Sequence, residues 1–294
     1  MIVSVLKGGV GNQLFQYAFA RSLSIRTGST LYFDKSWFST SLAKKTGAIR
    51  KIALNDFQVN GKFLPDGYAR SITAIAQYLG ECTHLKSILD NHVFLIDQNN
   101  VFPQLKKLRK NRCSLVLIDG FWQSEDFFSN IKRILRQELI LNYALTPQDR
   151  KIANEIKTRN SVSLHVRRGD YANSKRTNRR HGVLDMDYYH AAVDRIAGQT
   201  KASFIYVFSD DIPWCRENLV FDQPWRLVSD NSRKISSELH IMACCRHHII
   251  ANSSFSWWGA WLGEKKGSRI IAPKHWFKSG PELFRIVPER WIRL

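Results

Sequence analysis

Ser161-Val162-Ser163-Leu164-His165-Val166-Arg167-Arg168-Gly169-Asp170-Tyr171 decides how the second half of the chain is read. An apolar run, residues 161–164, leads directly into a histidine, two arginines, a glycine and an aspartate. In a parallel α/β sheet ligands bind outside the carboxyl ends of strands, so guanidiniums placed there face a crevice. Arginine suits a phosphate because its planar fork makes paired, charge-assisted hydrogen bonds, each worth roughly 1.5–3 kcal/mol net. Gly169 is expected to let the chain turn in a conformation other residues resist. Arg168-Gly169-Asp170 also spells an adhesion tripeptide, which needs an exposed loop tip rather than the end of an apolar strand.

Downstream the pattern predicts a basic loop, a helix over 187–196, a strand over 204–208 ending in Ser209-Asp210-Asp211, and a helix over 213–219. A strand over 226–228, helix 235–245, strand 248–251, helix 255–262 and strand 269–271 complete the series. Such alternation means right-handed crossovers and a parallel sheet covered on both faces. It is a Rossmann-like nucleotide domain in pattern, introduced by Thr146-Pro147 at a helix start.

Upstream, a strand over 2–6, the turn Lys7-Gly8-Gly9-Val10-Gly11, a helix from Asn12 to about Arg26 and a strand over 30–33 form a second such opening. Leu14, Phe15, Ala18, Phe19, Leu23 and Ile25 recur at helical spacing, and Gly28 suits a C-cap. Gly9 and Gly11 can bring backbone N–H groups and the helix dipole toward an anion, although a tight turn without ligand fits the same residues. From 35 to about 111 the pattern is irregular, with a strand over 49–54, a helix over 71–79 and a strand over 93–96. A buried strand over 114–119 follows, then a helix capped by Ser124 and reaching about Leu139. Trp122 and Gln123 at that strand end can stack on and hydrogen-bond a sugar; Trp122 suits the core equally. Two domains are expected, 1–145 and 146–294.

The 294 residues are 44% hydrophobic, enough for real cores. No run of about twenty apolar residues occurs, and Met1 enters a strand pattern at once, so residence in the cytoplasm is expected. The net charge of +19 has three explanations: nucleic acid, an anionic membrane face or an acidic small substrate. Basic residues are scattered without an arm or an RNP, zinc-finger or helix-turn-helix signature, which disfavours nucleic acid. Five cysteines without CxxC spacing indicate neither zinc nor a disulfide framework, and Cys244-Cys245 are expected in the core of a helix.

Three strand ends of the second domain carry polar groups that can converge: His165, Arg167, Arg168 and Asp170; Ser209, Asp210 and Asp211; Asn252, Ser253 and Ser254. The third opens a helix whose N–H groups and hydroxyls make an anion pocket or merely cap it, with Trp257, Trp258 and Trp261 behind as core. As a sequon Asn252-Ser253-Ser254 is discounted in a cytoplasmic chain.

Four stretches, Gly8 to Ala18, Gly120 to Glu125, His165 to Tyr171 and Asn252 to Trp261, resemble in order the hallmarks of glycosyltransferase family 11, the α-1,2-fucosyltransferases, and the resemblance covers nearly the whole chain. It implies a GT-B-like α/β fold, two Rossmann-like domains with parallel sheets facing a cleft. It also implies GDP-L-fucose as donor, inversion at the anomeric carbon, and neither metal nor other cofactor. Residue by residue, the resemblance sets His165 near the guanine, Arg167 on the β-phosphate, and Ser253 and Ser254 on the phosphates. It matches Glu238 to the acidic residue that recognises guanine, where Asp is commoner. The amide of Asn12 would approach the reaction centre, and Asp210 and Asp211 would lie near the nucleotide. As the fucose–phosphate bond stretches, charge collects on GDP, and Arg167, Arg168 and the helix start at Ser253 and Ser254 would stabilise it. Asp170 stands either as base for the acceptor hydroxyl or as the partner that holds the arginine fork.

The expected reaction is transfer of L-fucose to the 2-hydroxyl of a terminal galactose on an oligosaccharide of a bacterial surface glycan. Positive charge would hold the protein at the anionic inner leaflet. Another GDP-sugar or acceptor hydroxyl, and a basic nucleic-acid-binding protein on a Rossmann scaffold, are the competing readings.

Overall fold

A computed structural model of the chain describes residues 1–40, 51–65, 93–98, 101, 105 and 115–294, which fold as two compact units, Met1–Leu139 and Ile140–Leu294. The helix expected over 71–79 and the start of the strand expected over 49–54 lie outside the described residues. Residues 51–53 are irregular and a 3-10 turn, Leu54–Asp56, follows, so the described part of that stretch is not a strand.

In the first unit β1 (Ile2–Val5) leads through Gly8 and Gly9 into α1 (Val10–Thr27), which Gly28 ends in the left-handed conformation, φ 66°. The parallel strands β2 (Leu31–Asp34), β3 (Lys62–Phe63), β4 (Val93–Asp97) and β5 (Leu115–Asp119) complete a sheet of order β3-β2-β1-β5-β4. Helix α1 starts two residues earlier than its pattern suggested, because Gly9 serves as N-cap. Its two glutamines explain the firmness of the turn. Gln13 donates to the Gly8 and Lys51 carbonyls and accepts from the N–H groups of Ala53 and Leu54. Gln16 exchanges bonds with Lys7 and donates to the Gly120 carbonyl. After β5 the helix expected from Ser124 is delayed: Ser124 caps a 3-10 turn, Glu125–Phe127, a second such turn spans Ser129–Ile131, and α2 runs only over Lys132–Glu138. Phe127, Phe128 and Ile131 are buried against α1 residues such as Phe19 and Phe15, and these bulky contacts govern the tighter path.

The second unit follows the predicted alternation. It comprises α3 (Pro147–Lys157), β6 (Ser161–Val166), α4 (Gly169–Asn173), α5 (Lys175–His181), α6 (Met186–Thr200), β7 (Phe204–Ser209), α7 (Ile212–Asn218) and β8 (Trp225–Leu227). Helix α8 (Ile235–Ala243), β9 (His247–Ile249), α9 (Ser254–Gly263), β10 (Ile270–Ala272) and β11 (Ile292–Arg293) close it. All the strands are parallel, in the order β11-β10-β9-β6-β7-β8. Val162, Leu164 and Val166 of β6 face Tyr189, Val193 and Ile196 of α6 and Cys215 of α7. The alternate residues Ser163 and His165 are buried on the other face, where Ser163 bonds His248 at 2.7 Å and His165 lies against Phe255 of α9. Covering of both faces buries the polar residues of β6, Ser161, Ser163 and His165, along with the apolar ones that alternate with them. Trp257, Trp258 and Trp261 are fully buried as expected, and Cys244 and Cys245 are buried free thiols just after α8.

The segment read as a basic loop is instead α4 and α5. Asp185 then caps α6, and Ser174 caps α5 through the Thr177 N–H. Sequence reasoning missed these helices because a Lys/Arg/Asn-rich stretch has no apolar face to announce them.

Candidate active site

In the second unit the chain order reverses between β6 and β9, the place where an open parallel sheet forms its ligand crevice. The carboxyl ends of both strands carry the residues singled out above.

Arg167 is gripped from two sides. Its Nη2 donates to Asp170 Oδ1 at 2.5 Å and its Nη1 pairs with Asp210 Oδ2 at 2.8 Å. Burial pushes the guanidinium down, but Asp210 and then Asp170 outweigh it and raise it overall, so it stays charged. Tyr171 lies under it, 5.1 Å from the guanidinium carbon to the ring centre, and stacks in turn on His181 at 4.6 Å. Arg168 donates its N–H to Asp210 Oδ1 and its Nε to Asp211, with its guanidinium 4.1 Å over Trp214. Of the two roles left open for Asp170, holding the arginine fork is the one its contacts show. Asp210 and Asp211 likewise face the arginines, and Asp211 also caps α7 by accepting from the Trp214 N–H. Gly169 does not turn the chain through positive φ as expected; it is the first residue of α4. A Cβ there would collide with the Asp210 carboxylate and sit 2.9 Å from its Cγ, so the glycine exists for close approach.

His165 is buried, and burial followed by the Arg167 charge pushes its imidazole down to about 3. Its Nδ1 and the Nε of Arg167 are both buried without a hydrogen-bond partner in the described structure. At the neighbouring strand end α9 begins behind Ser253, whose side chain makes no capping hydrogen bond. Helix geometry leaves the N–H groups of Ser254, Phe255 and Ser256 without intrahelical acceptors, and the end is largely buried. Buried helix starts of this kind favour an anion. Asn252 has an internal task instead: its amide donates to the carbonyls of His181 and Trp276, and its own carbonyl accepts from the Tyr171 hydroxyl at 3.2 Å. That hydroxyl ties the β9 end to the β6 end.

Glu238, in the first turn of α8, is also buried, and accepts from the Ser229 hydroxyl at 2.7 Å. A cavity of about 620 Å3 opens on Ser229, lined also by Ile212, Arg216, Val228, Asp230 and Arg233. Burial pushes the Glu238 carboxyl up from 4.5 to about 7. The folded state therefore holds a proton that the unfolded state releases between those values. This group's contribution to stability is fully present below about 4.5 and lost as pH rises toward 7. Glu238→Gln should accordingly be more stable than wild type at pH 8 by about 2–3 kcal/mol and nearly equal at pH 4.5. Urea unfolding at the two pH values checks this, and a gain equal at both would contradict it.

In the first unit the reversal falls between β1 and β5. Here Lys7 pairs with Asp119 and lies 5.2 Å from the ring centre of the exposed Phe121. Gln123 donates to the Asn12 side-chain carbonyl at 2.7 Å, so these two predicted residues do meet. Gly9 caps α1, and Gly11 lies in its first turn with the N–H groups that lack intrahelical acceptors. Of the two readings of Trp122, sugar platform and core, the first is corrected and the second holds: it is fully buried, with its ring 4.4 Å from that of Phe19, at a backbone φ of 53°. Gly120 makes room, since a Cβ there would sit 2.7 Å from the indole. The aromatic left outside is Phe121, and the Lys7–Asp119 pair beside it was also missed; nothing in the one-dimensional pattern told Phe121 from Trp122. Among the described residues no group of three or more His, Cys, Asp or Glu is placed to hold a metal ion.

The description "Glycosyl transferase family 11" matches residues 1–285. The chain is 30% identical to the alpha-1,2-colitosyltransferase of Escherichia coli, over 100% of this chain and 99% of that one. It is 31% identical to the O-antigen biosynthesis glycosyltransferase WbnK of Escherichia coli over 99% of each. The galactoside alpha-(1,2)-fucosyltransferase 1 of Homo sapiens is 25% identical over 49% of this chain and 42% of its own length. A family match across almost the whole chain makes this protein a member of glycosyltransferase family 11.

Proposed function

We propose that the protein is an inverting, metal-independent transferase that moves L-fucose from GDP-L-fucose to the 2-hydroxyl of a terminal galactose on an O-antigen or similar surface glycan. The observation that carries the reading is the pairing, at one switch point, of a charge-locked Arg167 with the uncapped, largely buried start of α9. Both favour an anion, and the anion that grows during sugar transfer is the departing nucleoside diphosphate. Arg167 and the N–H groups behind Ser253 and Ser254 stabilise that charge as the glycosidic bond to phosphate breaks. Asp170 and Asp210 keep the guanidinium aimed. The neutral His165 and the buried Glu238 carboxyl line the nucleotide side, and Asn12 with Gln123 serves the acceptor. The α-1,2 linkage is supported by the names of relatives in the family.

The first relative favours one further reading, in which the transferred sugar is colitose. Incubating the enzyme with equimolar GDP-fucose, other GDP-sugars and a colitosyl donor, on a galactose-terminated acceptor, separates the two by product mass and linkage analysis. Deoxyhexose appearing on O2 of galactose supports the proposal; a product from the colitosyl donor alone overturns it.

Gly169→Ala tests the lock on Arg167. The new Cβ displaces Asp210, so GDP should bind roughly tenfold more weakly, or about 1.4 kcal/mol. Unchanged affinity by calorimetry would show that Asp210 does not aim the guanidinium.

A further inference from the structure

A second cationic site lies away from the strand ends, on α4, α5 and the segment around Lys278. Its cavity is about 500 Å3 and is lined by Ala172, Lys175, Asn178, Arg179, Lys278 and Ser279. Neither wall contains an acid: no Asp or Glu occurs from Tyr171 to Leu184, or from Pro273 to Pro281. Lys175 and Arg179 stand four residues apart on α5, a like-charged spacing that repels. Lys278 adds a third exposed charge opposite.

The cavity is built rather than incidental. Arg180 does not contribute its charge to it but clamps its two walls together. Its Nη1 donates to the Ser279 carbonyl at 2.5 Å and its Nη2 to the Pro281 carbonyl, with the guanidinium 3.9 Å over Phe277. The backbone N–H groups of Lys278 and Ser279 return bonds to the Arg180 carbonyl, and the Ser279 hydroxyl donates to that of Arg179. Gly280 takes φ 81°, and a side chain there would strike Arg180. Asn178 is fixed by its bond to the Tyr171 carbonyl.

We propose that this pocket binds a phosphate group carried by a ligand other than the sugar donor. Three cations around one cavity, one of them a forked guanidinium, with the Asn178 amide beside them and no competing carboxylate on either wall, match the charge and hydrogen-bonding of a phosphate. The phosphate of a lipid headgroup and that of a soluble phosphorylated molecule share this chemistry. The proposal is independent of the donor reading, because none of its residues belongs to the Arg167 site.

The test compares wild type with Lys175→Ala/Arg179→Ala/Lys278→Ala and with a control, Lys157→Ala/Arg195→Ala/Lys266→Ala, that removes equal charge from exposed positions elsewhere. The probes are inorganic pyrophosphate by calorimetry and sedimentation of vesicles of phosphatidylglycerol or of phosphatidylcholine alone. Pyrophosphate binding to Arg167→Ala keeps the nucleotide site out of the measurement. If the source is a headgroup, the pocket variant loses about 100-fold in partitioning to phosphatidylglycerol vesicles while the control keeps most of it. If it is a soluble phosphate, the pocket variant loses at least about tenfold in pyrophosphate affinity and no variant sediments with vesicles. Equal losses in pocket and control variants, or no loss in either assay, overturn the proposal. GDP binding and transfer to a soluble acceptor should persist in the pocket variant, so a failed donor reading would show separately.

Discussion

On the proposed function, Arg167→Ala should weaken GDP binding by about 2 kcal/mol or more, roughly 30-fold, with the same loss expected with and without EDTA. The substitution removes a forked donor worth roughly 1.5–3 kcal/mol in charge-assisted bonds to a phosphate. It also takes from Asp170 and Asp210 the cation that the guanidinium brings to within 2.5 and 2.8 Å of them, at the place where more negative charge would arrive. Arg167→Lys keeps the charge and loses the fork, so it should fall between wild type and alanine. Transfer should suffer more than binding, because the leaving group carries more charge in the transition state than in the ground state. Calorimetry with GDP and initial rates with GDP-fucose check both points. A GDP affinity indifferent to Arg167 would remove the basis of the donor assignment.

Trp257→Ala should cost about 3–5 kcal/mol of unfolding free energy, the range for removing a large aromatic side chain from a packed core. Trp257 is fully buried, its indole N–H donates to the Ile286 carbonyl at 2.8 Å, and its ring packs on those of Trp258, Trp261 and Trp291. Deletion opens a ring-sized cavity and strips the Ile286 carbonyl of that bond. Because α9 also presents Ser253 and Ser254, the loss should extend to GDP affinity. Trp257→Phe retains most of the volume and should cost less than half as much. Urea unfolding of the two variants checks the ranking; equal costs would mean that the hydrogen bond, rather than the packing, dominates.

How far the sequence reveals this molecule depends on where apolar periodicity survives. In the second unit short Val/Ile/Leu runs alternate with helices, and both the order of elements and the parallel sheet follow from that alone. Where charge replaces periodicity, as from Lys175 to His181, helix and loop look alike and the helix was not foreseen. Where bulk dictates the path, as at Phe127 and Phe128, capping by Ser124 was legible but the 3-10 turns were not. In the second unit the arginines stand out by residue type at a strand end, as does Gln123 in the first unit; Asn12 stands out only through the family resemblance. What composition could not reveal is direction. Asp170 reads equally as a base and as the holder of the arginine fork, and Asp210 and Asp211 as neighbours of the nucleotide; the contacts of all three are with the two arginines. Trp122 reads as a platform or as core and turns inward beside Gly120, which leaves Phe121 outside. Gln13 and Gln16, silent in any pattern, hold the first turn by backbone bonds that only tertiary structure displays.

The sheet of the second unit ends on one side in the two-residue β11 and on the other in the three-residue β8. Each rim carries an arginine, Arg293 and Arg226. Parallel sheets assemble slowly from distant segments and expose unpaired strands while they do so. A long apolar rim would let one chain template the growth of another; rims this short, with a paired arginine on each, offer few backbone groups for edge-to-edge growth. The brevity of β8 and β11 thus leaves little template on either rim for a second chain during assembly.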